Sequence, residues 1–106
     1  MTKTKCYNSG KIGGLPYLVA YKKFQKADEA IFLMDMNPIN PMKSGLKYSR
    51  PWWMHMIVDV CLLLGCQCVY VQTDWKESRG ARIEMKLAKL FGKTILFEQE
   101  KEEYHV

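Results

Sequence analysis

The feature that most restricts this chain is alternation: long segments of helical periodicity are separated by short apolar runs, with little chain left over for connections. From Tyr17 onward Ala20, Phe24, Ala27, Ile31 and Met34 recur at spacings of three and four, while Lys22, Lys23, Lys26 and Glu29 fall on other faces. That is the pattern of an amphipathic helix. Pro51 suits the first turn of a second helix, running through Trp53, Met56, Ile57, Val60 and Leu64 and stopping near Gly65. A third covers Ser78 to Phe91, with Ile83, Leu87, Leu90 and Phe91 on one side and Gly92 as its stop.

The runs between these helices read as strands. Lys5 to Ser9 ends in Gly10 and leads into Gly13-Gly14-Leu15-Pro16, a strand followed by a glycine loop and a helix start. Met36 to Asn40 is interrupted by Pro38 and followed by Pro41, so a strand there is short and lies at an edge. Lys43 to Arg50 makes a polar loop. Gln67 to Val71 has the β-branched and aromatic content of a central strand, and Lys93 to Glu98 supplies a final one. Strands alternating with helices through short loops form right-handed βαβ units, with a parallel sheet covered on both faces. The expected fold is therefore α/β, a three-layer Rossmann- or flavodoxin-like sandwich with a four-stranded parallel sheet in the order 2-1-3-4. Ligands of such sheets lie beyond the carboxyl ends of the strands, where the winding reverses. Here that crevice gathers Tyr7 to Gly14, Asn40 to Arg50 and Thr73 to Glu84.

With 106 residues, 48% hydrophobic and 25% charged, the chain forms one ordinary globular domain. Residues 1–98 make up that domain, and 99–106 a charged C-terminal tail. The net charge of +5 favours phosphate-bearing ligands. Its lysines are scattered, and Lys101 sits among Glu98, Glu100, Glu102 and Glu103, which argues against a nucleic-acid polymer as partner. Cys6, Cys61, Cys66 and Cys68 lack the paired spacing of a zinc site and read as free thiols, with Cys66 and Cys68 expected to share one face of a strand. No metal and no cofactor is expected. The start of the chain has no apolar signal region, and its longest apolar run, Val60 to Gly65, is too short to span a bilayer. These features predict a cytoplasmic protein without a membrane partner.

Tyr7-Asn8-Ser9-Gly10-Lys11-Ile12-Gly13-Gly14 resembles the first-strand loop of the nucleoside 2-deoxyribosyltransferases and the related deoxynucleoside-monophosphate N-glycosidases. Asn40-Pro41-Met42, the stretch from Arg50 to Asp59 before a Gly-Cys turn, and Ser78-Arg79-Gly80-Ala81-Arg82-Ile83-Glu84 followed by Ala88 and Gly92-Lys93-Thr94 extend the likeness from about Lys5 to Phe97. The pattern is closest to a compact branch of that superfamily found in bacteria and phages. The resemblance implies cleavage of an N-glycosidic bond, by hydrolysis or deoxyribosyl transfer, on a nucleoside or nucleotide. It also implies a homo-oligomer, since relatives build their sites near subunit contacts. Gln67 stands where many relatives have aspartate, and Lys86 where a small residue is common. The chain is also shorter than the established transferases, which favours hydrolysis or binding over transfer.

Carried onto this sequence, the resemblance makes Glu84 the nucleophile, Asp59 the second carboxylate that aids the departing base, and Tyr7 the hydroxyl that orients Glu84. Such chemistry needs a carboxylate beside developing oxocarbenium charge. Ser78 and the helix start would hold a 5′ phosphate through unpaired N–H groups. Ser9, Gly10, Lys11, Gly13, Asn40 and Gly80 complete the expected substrate contacts, and Trp75 is the tryptophan best placed to meet a base. Read by residue type alone, each has a plainer explanation. Glu84 is otherwise an exposed helical residue or a partner of Arg82 or Lys86, and Asp59 a local partner of His55. Tyr7 and the tryptophans are otherwise core or interface, and Ser78 an N-cap. A non-catalytic nucleotide-binding or regulatory module of the same fold is the alternative function.

Overall fold

Successive side chains of a strand point to opposite faces of the sheet, and in the first strand this sorts the residues of the whole domain. A computed structural model describes residues 3–99. Its elements are β1 (Lys5–Ser9), α1 (Tyr17–Leu33), β2 (Asn37–Ile39), α2 (Trp52–Leu64), β3 (Cys68–Val71), α3 (Arg79–Leu90) and β4 (Thr94–Phe97), with short 3-10 turns at Pro41–Lys43 and Trp75–Glu77. The strands form one parallel sheet in the order β2-β1-β3-β4. Pro38 lies in the edge strand β2, where a missing N–H is tolerated. Except for Gln99, the charged tail expected over 99–106 lies outside the described residues. No helix among the described residues is long and apolar enough to cross a membrane.

In the register of β1 and β3, Tyr7 is beside Val69 and Ser9 beside Val71, while Cys6 is beside Cys68 and Asn8 beside Tyr70. Tyr7, Val69 and Val71 join Leu63 of α2 and Met85 and Ala88 of α3 in one core cluster. Cys6, Cys68 and Tyr70 join Ala27 and Ile31 of α1 in another. The sheet is thus the middle of three layers, with α1 on one face and α2 and α3 on the other.

Two helix ends are closed in the same way. After α3, Gly92 adopts φ 67°, letting the Lys93 N–H reach the Ala88 carbonyl at 2.9 Å and its own N–H reach Lys89 at 3.2 Å. This is a Schellman motif, which satisfies carbonyls the helix leaves unpaired. After α1 the left-handed position is held by Asp35 at φ 62°, with Met36 N–H bonded to the Ile31 carbonyl at 3.3 Å. A short polar side chain tolerates that conformation better than most.

The structure corrects three expectations about packing. The apolar stripe of α2 does not face inward as a unit: Trp53, Ile57 and Leu64 are exposed, whereas Asp59 and Leu63 are buried. α2 is apolar around most of its circumference, so periodicity could not say which side meets the sheet. In α3, Leu90 and Phe91 are exposed and the inward residues are Ala81, Glu84, Met85 and Ala88. Cys66 and Cys68 do not share a strand face. Cys66 precedes β3, donates from Sγ to the Leu62 carbonyl at 3.2 Å, and belongs to the cluster opposite that of Cys68.

On the α1 face, Asn8 anchors a buried polar network. Its Nδ2 donates to the Phe24 carbonyl and to Asp28 Oδ1, both at 2.8 Å, and its Oδ1 accepts from Gln72 Nε2 at 2.7 Å. Asn40 donates to Asp28 Oδ2 at 3.0 Å, and Lys23 donates to Gln72 Oε1 and pairs with Asp74 at 3.1 Å. These bonds tie β1, α1, the loop after β2 and the end of β3 together. They also pin Gln72 at both ends of its amide, and a Cβ at Gly10 would lie 2.5 Å from Gln72 Cδ. Gly10→Ala is therefore expected to destabilise the fold by about 1–3 kcal/mol, the usual cost of overpacking. In a urea-denaturation cycle, adding Gln72→Ala should cost less in the Gly10→Ala background than in the wild type; simple additivity would count against the clash.

Candidate active site

Glu84 lies in the second turn of α3, on the side that meets the Tyr7 and Ser9 face of β1. The Tyr7 hydroxyl donates to Glu84 Oε2 at 2.9 Å and the Ser9 hydroxyl to Oε1 at 2.8 Å. All three side chains are buried. Each carboxylate oxygen thus accepts one hydroxyl and keeps a lone pair for another group. This excludes the two plainer explanations for Glu84, since it is neither exposed nor paired with Arg82, which bonds instead to the Lys76 carbonyl at 2.8 Å.

Asp59 of α2 is the second buried carboxyl on this side of the sheet. Burial pushes its pKa up to about 7. Glu84 is pushed up to about 8, first by burial and then by the negative charge of Asp59, against the opposing hydrogen bonds of Ser9 and Tyr7. Tyr7 is held well above the ordinary phenol range by burial and by the charges of Glu84 and Asp59, so its hydroxyl remains a donor at neutral pH. Repulsion between the two carboxylates acts on both, and they release their protons as a coupled pair.

A cavity of about 310 Å³ opens over these groups. Tyr7, Asp59 and Glu84 line it, with Gly10, Ile12 and Gly13 from the first loop and Ser78, Gly80 and Ala81 from the start of α3. Tyr17, Tyr48 and Trp52 supply aromatic wall, and Arg50 supplies positive charge. Ser78 caps α3, its Oγ accepting the Ala81 N–H at 3.2 Å. A Cβ on Gly80 would come within 3.1 Å of Met56 Sδ, so glycine lets α2 and α3 approach closely beside the cavity.

Several expected contacts are elsewhere. Asn40 is buried in the polar network and caps the following 3-10 turn, accepting the Met42 N–H at 2.9 Å. Ser9 is reached only through Glu84 and is not on the cavity wall. Lys11 is also off the wall, and its N–H donates to Asp74 at 3.2 Å. Trp75 packs against the core beside α3, with the Lys76 ammonium 5.8 Å from its ring centre. The tryptophan on the cavity is Trp52, covered by the Arg79 guanidinium at 4.6 Å.

The reading of the sequence singled out neither Tyr17, Tyr48 nor His55 for the cavity, and it ranked Trp52 behind Trp75. A signal for two of them was present: Trp52, His55, Met56, Asp59 and Leu63 follow the spacing of one helical face, running beside the more apolar stripe that drew attention. His55 Nε2 is shielded from solvent and is the one buried side-chain polar atom among the described residues without a hydrogen-bond partner. Leaving such an atom unpaired costs about 1–3 kcal/mol. Among the described residues no group of three or more His, Cys, Asp or Glu side chains converges as a metal-ligand set.

Fold and site together define a Rossmann-like α/β domain whose cavity is lined by two buried carboxyls, one of them, Glu84, held by two hydroxyls. Residues 4–97 match the family described as a domain of unknown function, DUF4406, and the chain belongs to that family. No curated protein matches it significantly.

The carboxyl pair makes stability depend on pH. A carboxyl whose folded-state pKa is raised contributes stability that is complete below its unfolded value, near 4, and lost as pH rises through the folded value. The melting temperature should therefore fall between about pH 5 and pH 8. Glu84→Gln should flatten that slope and leave the protein more stable than wild type at pH 9; an unchanged slope would mean that Glu84 is ionised at ordinary pKa.

Proposed function

We propose that this protein cleaves the N-glycosidic bond of a nucleoside or nucleotide, with Glu84 as nucleophile. The observation that carries the reading is the buried Glu84 carboxyl, hydrogen-bonded at both oxygens by Tyr7 and Ser9 and lying next to a second raised-pKa carboxyl at the base of a cavity. Neutral hydroxyl donors stabilise the anionic form while keeping the carboxylate fixed in direction. In the proposed reaction a Glu84 oxygen bonds to the anomeric carbon as the C–N bond breaks. The electron pair leaves on the base nitrogen, which receives the Asp59 proton. Water then attacks the glycosyl–enzyme ester, giving its proton to Asp59 and releasing Glu84.

The rest of the cavity suits such a substrate. Tyr48 and Trp52 offer aromatic surface on the cavity wall for a base. Ser78, the unpaired N–H groups at the start of α3 and Arg50 offer an anion site for a 5′ phosphate. Free buried thiols at Cys6, Cys66 and Cys68 are in keeping with a reducing cytoplasm. The exposed Trp53, Ile57 and Leu64 favour a homo-oligomer over a monomer.

The test is chromatography of free-base release from nucleosides, deoxynucleotides and NAD-like dinucleotides. Native protein should release base from at least one of them. Glu84→Ala should abolish that release, and Asp59→Asn should lower the rate roughly 10²–10⁴-fold. Folded native protein that binds a nucleotide and releases no base would leave a binding module instead. The reactive form has one proton, on Asp59; because Glu84 is pushed higher than Asp59 this is the minor of the two singly protonated forms, and kcat/KM should still follow a bell with limbs near the coupled values of about 7 and about 8. A profile flat from pH 6 to pH 9 would contradict these roles.

A further inference from the structure

The two hydroxyls that hold Glu84 are not equivalent. Tyr7 lines the cavity and donates to Oε2 at 2.9 Å, whereas Ser9 is off the cavity wall and donates to Oε1 at 2.8 Å. Ser9 is 1% exposed, and the sheet fixes its backbone: it lies beside Val71, and its carbonyl accepts the Gln72 N–H at 2.8 Å. Among the described residues Glu84 is the one side chain its hydroxyl bonds. A donor built on a strand end is held more precisely than one on a loop. Oε2 is thus the oxygen turned toward a ligand, and Oε1 the one turned into the protein.

We infer that Ser9 is a positioning residue that keeps Oε1 out of the bond to the sugar and makes Glu84 a good leaving group in the second half of the reaction. This rests on the reading that Glu84 is the nucleophile. When Oε2 bonds to the anomeric carbon it becomes the bridging oxygen of an ester, a poor hydrogen-bond acceptor. Oε1 becomes the ester carbonyl oxygen and still accepts. The Ser9 bond therefore survives the first step, while the Tyr7 hydroxyl is freed on the cavity wall beside the sugar. In the second step the water oxygen bonds to the anomeric carbon and its proton passes to Asp59. The bond from that carbon to Oε2 breaks, and its electron pair returns to the carboxylate. Negative charge reappears on Oε1 as well as Oε2, and a hydrogen bond from a fixed donor strengthens as charge develops on its acceptor. Ser9 thus favours the departure of Glu84, whereas in the attack it supplies direction alone. The same bond opposes the upward push of burial on the Glu84 pKa.

The test combines rapid-quench and steady-state measurements of base release from the panel of nucleosides, deoxynucleotides and NAD-like dinucleotides. Base leaves in the first step, so a variant slow only in the second releases one equivalent quickly and the rest slowly. Ser9→Ala should show that burst. Its kcat should fall roughly 10–100-fold, the effect of losing one hydrogen bond to a charged group, while kcat/KM changes much less. Mass spectrometry of the acid-quenched variant should then find the glycosyl ester on Glu84. Ser9→Thr, which keeps the hydroxyl, should restore most of kcat. Ser9→Cys, close to serine in size but a weak donor, should behave as the alanine variant does and serves if that one fails to fold. A folded Ser9→Ala with native kcat, or with kcat and kcat/KM lowered alike and no burst, would overturn the inference and leave the proposed function standing. No base release by native protein from any compound in the panel would overturn both.

Discussion

The alternation of β1 is the constraint on which the rest of this structure depends. A central strand must send neighbouring side chains to opposite faces, and this one has hydrogen-bonding residues at three successive positions. Tyr7 and Ser9 turn toward α3 and bond Glu84, while Asn8 turns toward α1 and bonds Phe24, Asp28 and Gln72. A slip of one residue would exchange the two sets and strand both groups of buried polar atoms. Register is therefore enforced by polar satisfaction as much as by hydrophobic contact.

The two faces use their buried polar groups differently. Around Asn8 the donors and acceptors pair with one another, and the network joins loops to strand ends without leaving a reactive group exposed to a ligand. Around Glu84 the arrangement is deliberately incomplete. Two hydroxyls hold the carboxyl, but burial and the neighbouring Asp59 still raise its pKa, so stability is given up at the base of the cavity. Strained electrostatics of that kind, inside a cavity walled by aromatic rings, is common where a fold serves chemistry. The unpartnered Nε2 of His55, shielded from solvent in a residue of the same wall, is a second buried polar group left unsatisfied.

Helix α2 shows how much a pattern of apolar residues can and cannot say. Its existence, its start after Pro51 and its end at Gly65 were legible, because proline geometry and backbone capping are local properties. Its orientation was not. With Trp53, Ile57 and Leu64 on one side and Trp52, Met56 and Leu63 on another, hydrophobicity offers two candidate inner faces. The choice falls to the side that also bears His55 and Asp59, against the usual preference for burying the more apolar stripe. Trp75 and Trp52 were confused for a related reason: residue type identifies a ring able to stack, but only the path of the chain decides which ring reaches the cavity.

The sequence by itself determined the α/β class, the strand order, three of the segments that border the crevice and the stops at Gly65 and Gly92. Each follows from short-range steric rules, from side-chain period or from the handedness of βαβ connections, all of which act within a few neighbouring elements. The resemblance expected from its motifs had grouped Glu84, Asp59 and Tyr7, and in the structure all three line one cavity. Only the tertiary structure decided that Tyr7 and Ser9 share Glu84, that Asn40 is a structural residue, and that Tyr48 and His55 stand on the cavity wall. These are contacts between residues far apart in the chain, and their geometry depends on how whole layers pack. No local pattern encodes it.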